Sequence, residues 1–167
     1  MVLTISSCGA AAPGALTQSD IPGYLGLHEN RIAEAGLLRS AHPGRLCHGA
    51  SVSVAAFTAP GQNLSSIFDK DTLSHDQVLS DVVMCPHATS VSAVFRNNLK
   101  QAHPVELVEG IGQRAFLSTL DPEARSFSIE WLNGSMLGYL VLQGPSNDSR
   151  ITVALTAMLA RRAVEAS

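Results

Sequence analysis

Three cysteines and six histidines are the residues best suited to chemistry in this 167-residue chain. Cys47 adjoins His48, and Cys85 is followed by Pro86 and His87, so two thiols and two imidazoles fall in two short clusters. Together they make the donor set of tetrahedral zinc, and a zinc-dependent hydrolase using Cys47, His48, Cys85 and His87 is one reading. The spacing opposes it. Structural zinc sites place two ligands two to four or three to five residues apart, so that one turn presents both. Neighbours such as Cys47 and His48 on an extended chain point to opposite faces. The competing reading oxidises Cys47 and Cys85 to a disulfide, the default for two buried thiols outside the reducing cytosol. It calls for no cofactor.

Cys8 is placed differently. It follows Leu3-Thr4-Ile5-Ser6-Ser7, an apolar stub ending in small residues, and precedes Gly9-Ala10-Ala11-Ala12-Pro13-Gly14. A stub of that kind before a cysteine suits the end of a lipoprotein signal, with Cys8 as the acylated residue and the small residues after it as a flexible tether; since Met1 to Ser7 hold no lysine or arginine and too few apolar residues for a whole signal, the alternative is a tail with an incidental cysteine. Residues 1–16 are therefore expected to be the remnant of such a signal plus the tether, and residues 17–167 a single domain. Removing Cys8 from the count leaves an even pair for one bridge.

Other chemical patterns are weak. Gly134-Ser135-Met136-Leu137-Gly138 has the letters of a hydrolase elbow, but that motif sits on a strand-to-helix turn and this serine enters a strand. Gly110-Ile111-Gly112 is too short for a dinucleotide loop. Histidines 28, 42, 48, 75, 87 and 103 show no His-x-x-x-His spacing. Asn63, Asn133 and Asn147 satisfy Asn-x-Ser, a pattern too permissive to carry weight. No catalytic residue is assigned.

The bulk composition bounds the answer. Hydrophobic residues make 46% of the chain and charged residues 15%, which suits one folded domain rather than disorder. The net charge is −3, and the longest basic run is Arg161-Arg162, so nucleic acid is not an expected partner. No apolar run reaches the roughly 18 residues of a membrane-spanning helix.

Periodicity positions these residues on elements. Thr17 or Ser19 can cap a short helix through Tyr24, Leu25 and Leu27, ended by Gly26. Residues 28–46 read mostly as loop. Ser51 to Phe57 alternates polar and apolar, a strand stopped by Pro60-Gly61. Ser74-His75-Asp76-Gln77 has the form of a capping box, and Val78, Leu79, Val82 and Val83 follow at helical spacing, predicting a helix over 75–84 that ends before Pro86. Residues 89–95 fit either a strand or the face of a helix, and their β-branched content tilts the choice to strand. Val105 to Leu120 reads as a strand broken at Gly110-Ile111-Gly112 by a bulge or close backbone approach. Phe127 to Leu132, Asn133-Gly134 and Ser135 to Gln143 make a hairpin with a type I′ turn. Phe127, Ile129 and Trp131 then share one face with Met136 and Leu140, and the last element is a helix capped at 147–149 and running to about Glu165. The sum is an α+β domain, an antiparallel sheet with a central Asn-Gly hairpin packed against N-terminal and C-terminal helices that cover one face.

The second face of the hairpin, with Leu132, Leu137, Tyr139 and Val141, is also apolar. With helices on one side only, these four would form a groove for a small apolar ligand or a docking surface for another envelope protein; the alternative is that the loops at 28–46 and 60–73 cover them.

Three features together resemble small secreted lipoproteins of actinobacteria, especially mycobacteria. One is Leu16-Thr17-Gln18-Ser19-Asp20-Ile21-Pro22 after the tether; another is Val108-Glu109-Gly110-Ile111-Gly112-Gln113-Arg114-Ala115-Phe116; the third is the single interior cysteine pair followed by a hairpin and a terminal helix. The extracellular sensor domains of some mycobacterial serine/threonine kinases share this pattern. Gln113-Arg114 replaces the acidic pair usual after the second glycine, and Ser7 stands where the lipobox has glycine or alanine. The resemblance implies a non-catalytic α+β domain, held by a lipid at Cys8 to the outer face of the plasma membrane. It carries over no catalytic site.

Overall fold

A computed structural model describes residues 14, 16–30, 47–62, 76–102, 105–121, 126–143 and 149–165. Among them, seven strands form one antiparallel sheet: β1 (His28–Glu29), β2 (Ser51–Thr58), β3 (Gln77–Met84), β4 (Val105–Val108), β5 (Arg114–Asp121), β6 (Ser126–Asn133) and β7 (Met136–Gln143). Their order is β1-β2-β3-β7-β6-β5-β4. Two helices complete the α+β architecture, α1 (Ala88–Gln101) between β3 and β4 and α2 (Ser149–Glu165) after β7. Strands β1 to β3 form one antiparallel run and β4 to β7 another, joined where β3 pairs with β7. α1 carries the chain from the middle of the sheet to its far edge.

The helix expected over 75–84 is a strand. Val78 and Val82 point into one core cluster, while Leu79 and Val83 belong to two clusters on the opposite face. Both sides of β3 are buried, so the alternation that marks a half-exposed strand is erased and paired valines imitate helical spacing. Ser74 and His75 of the expected capping box lie outside the described residues.

The opposite correction applies to 89–95, which begin α1. Val91 and Phe95 are buried, with Val94 and Leu99 partly so, while Arg96, Asn97, Lys100 and Gln101 face solvent. That is a helical stripe, and packing outweighs the β-branched preference.

The break at Gly110-Ile111-Gly112 is the loop of a hairpin rather than a bulge, since Val108 pairs with Ala115 across it. The expectation of close backbone approach holds there. Gly112 has φ +55°, and a Cβ on it would stand 2.7 Å from the Leu132 carbonyl oxygen. Ile111 is buried beside it, and the Gln113 N–H donates to that same Leu132 carbonyl at 2.8 Å.

The β6–β7 hairpin is present, with a different turn. Asn133 is still in the ladder, paired with Met136, so the two loop residues are Gly134 and Ser135 rather than Asn133 and Gly134. Gly134 supplies the positive φ, +57°. Each residue now faces a partner two positions further on than an Asn133-Gly134 turn would give, an even shift that leaves every side chain on its expected face. Trp131 thereby opposes Gly138 and lies across it, in the space where a Cβ would be.

The helices do not share a face. α2, with Leu155, Leu159, Ala160 and Ala163, covers the side carrying Phe127, Ile129, Trp131, Met136 and Leu140. The N-terminal segment packs into the same cluster through Leu16, Ile21, Leu25 and Leu27. It forms two short 3-10 turns, Gln18–Asp20 and Gly23–Leu25, the second ended by Gly26. The Thr17 N–H donates to Asp20 Oδ2 at 2.8 Å, and the Arg162 guanidinium of α2 donates to the Asp20 carbonyl. α1 lies on the other side of the sheet, where Val91 and Phe95 cover Val83, Phe116, Leu132 and Leu137. The expected strand at 51–57 and terminal helix are both observed; of the loop expected over 28–46, His28 and Glu29 pair with β2 as β1, while residues 31–46, the cap at 147–148 and most of the loop over 60–73 lie outside the described residues.

Candidate functional site

Cys47 and Cys85 are joined by a disulfide. The ladder between β2 and β3 ends at Ser51 opposite Met84, and the bridge closes just beyond it. The Cys85 N–H also donates to the Ser135 carbonyl at 3.0 Å, which ties the end of β3 to the β6–β7 turn. Gln113 completes the cluster, accepting at Oε1 from the Gly134 N–H at 3.1 Å. The bridge and two hairpin loops thus lock one end of the sheet. The residues of the glycine-rich strand motif, Ile111, Gly112 and Gln113, serve this docking.

The bridge also bears on the zinc reading. A sulfur bonded to sulfur is not a thiolate and offers no ordinary zinc ligand. His48 and His87 flank the bridge on exposed turns. Among the described residues, no group of three or more histidine, cysteine, aspartate or glutamate side chains is placed to hold a metal ion. The four residues proposed for zinc are brought together, but as a covalent staple with two exposed imidazoles.

The proposed apolar surface is brought together too, and it is covered. Leu132 and Leu137 lie under α1 with Phe95 and Phe116, and Tyr139 and Val141 join Ala56 and Leu79 in a separate buried cluster. An open groove at these four residues was expected because the N-terminal and C-terminal helices were placed on the other face and 89–95 was read as strand. Since α1 takes this one, Leu132 and Leu137 belong to the core.

What sequence reasoning missed is polar. Asp81 of β3, Tyr139 of β7 and Glu130 of β6 stand side by side in register across the centre of the sheet, on the face that α1 covers. Both carboxylates are only 2% exposed. Glu130 accepts from Asn98 Nδ2 of α1 at 2.9 Å and 3.1 Å through its two oxygens. Burying a carboxylate is costly unless donors meet it, so this bond fixes how far along the sheet α1 sits. Further along the same face, Gln77 Nε2 donates to Gln143 Oε1 at 2.9 Å. Two carboxylates beside a phenol have the residue types of acid–base catalysis, but that chemistry needs a substrate within hydrogen-bond reach. At this burial the row is better suited to placing α1 over the sheet. A carboxylate set among the apolar residues of a strand, as at Asp81 and Glu130, is the one signal that pointed to it.

The exposed apolar residues lie elsewhere. Leu107 is 70% exposed and Val105 37%, both on β4, the last strand of the sheet; Tyr24, 79% exposed, is on the second N-terminal turn. Phe116 opposes Leu107 and Ser118 opposes Val105, so both β4 side chains stand on the face that carries α1.

Comparison with protein-family models, curated proteins and solved structures gives no match. No described helix is long and apolar enough to cross a membrane. Cys8 lies outside the described residues.

Proposed function

We propose that the chain is a lipid-anchored, extracytoplasmic binding or sensor-like domain of an actinobacterial cell envelope, non-catalytic, attached to the membrane through Cys8. The observation that carries this reading is the Cys47–Cys85 disulfide, because such bonds persist in oxidising compartments and are rare in a reducing cytosol. The stub before Cys8 and the small-residue tether after it support the anchor. Of the two occupants the sequence suggests, the geometry favours a partner protein over a small apolar ligand. The residues suited to a ligand groove are buried, whereas Val105 and Leu107 meet solvent.

The test is metabolic labelling in an actinobacterial host. Labelled palmitate should enter the full chain, follow it into the membrane fraction and be absent from Cys8→Ala, which should be found free of the membrane. Equal distribution of the two proteins, or no label in either, overturns the anchor.

A further inference from the structure

We infer that the outer edge of β4 is a strand-addition site for an extended segment of another polypeptide, one alternating apolar and basic residues. The inference names the partner chemistry for the binding role proposed above. Among the described residues no strand pairs with that edge, so β4 ends the sheet with a row of backbone donors and acceptors that an extended chain satisfies. Val105-Glu106-Leu107-Val108 is a short edge with one charge, Glu106, and it has no lysine, interior proline or bulge to turn an added strand away. At the other edge, β1 is two residues long and polar, His28 and Glu29.

Side chains specify the occupant. Val105 and Leu107 are two residues apart and project on the α1 side, so an added strand meets them with its own apolar residues at every second position. Glu106, on the opposite side of β4, and Glu109, just past its end, are both exposed and acidic. The chain as a whole carries a net charge of −3. Basic residues alternating with the apolar ones meet that charge.

A second copy fits poorly. A symmetric antiparallel pair of β4 strands must centre on one residue facing itself. Centred on Glu106 it opposes two carboxylates; centred on Leu107 it leaves Glu106 and Glu109 without bases.

The experiment measures amide hydrogen exchange of the full chain with a capped synthetic peptide, Lys-Val-Lys-Val-Lys-Val-Lys. Exchange at Val105 to Val108 should slow, and the double variant Leu107→Ser/Glu106→Lys should weaken binding by about tenfold or more. Its unfolding midpoint should not move, because both side chains are exposed. No slowing at β4, or equal slowing by the glutamate counterpart of the peptide, overturns the inference. So does slowing that rises with protein concentration alone, which signals self-pairing, or equal slowing by phosphatidylglycerol vesicles. None of these outcomes touches the palmitate result, which reads attachment at Cys8 alone.

Discussion

Two glycines at the locked end of the sheet separate two costs of adding a methyl group. Gly134 has φ +57° with open space where a Cβ would go, whereas Gly112 has φ +55° and a backbone oxygen in that space. Gly134→Ala should cost only the left-handed penalty, about 1–2 kcal/mol. Gly112→Ala should cost that and more, because the Leu132 carbonyl belongs to a ladder and cannot swing aside. Urea unfolding of the two variants checks the order, and equal losses would contradict the close approach. Asn98 poses a second question at this scale. Asn98→Ala takes a donor from a buried carboxylate, and stability should fall by about 1–3 kcal/mol at neutral pH. An unchanged midpoint would mean that the bond between α1 and Glu130 does not position the helix.

At the scale of elements, the disulfide encloses a sequence separation of 38 residues. Cys47→Ser/Cys85→Ser should lose about 4 kcal/mol in the chain-entropy treatment, and wild-type protein unfolded with reductant should behave alike. If reductant leaves the urea midpoint unmoved, the bridge is not a staple. Which elements could be read from the chain follows from how many of their faces are buried. The hairpin Phe127 to Gln143 and the helix ending at Glu165 were legible from turn chemistry and an apolar stripe. β3 was not: with Val78 and Val82 on one side and Leu79 and Val83 on the other, its pattern has no period of two. α1 was misread for the converse reason, since Val91 and Val94 have strand-like side chains on a helical stripe. The Gly134-Ser135 turn escaped because Asn133-Gly134 is the stronger local signal, and the fit of Trp131 over Gly138 is not local.

At the scale of the molecule, the decisive feature is the placement of the two helices on opposite sides of the sheet. With 89–95 read as strand no helix was left for the second face, so that face read as a groove when it is the bed of α1. The polar row of Asp81, Tyr139 and Glu130 was invisible for the same reason, since only the register of three strands assembles it. What remained legible was the cysteine arithmetic. One residue near the start was set apart from an interior pair, and the interior pair is bonded.

The most direct test of the whole account is the intact mass, without reductant, of the protein extracted from its own cells. The account predicts material from the membrane fraction that carries a fatty acyl modification at Cys8 and lacks the two thiol hydrogens of Cys47 and Cys85. An unmodified chain from the cytosol with all three cysteines reduced would contradict it.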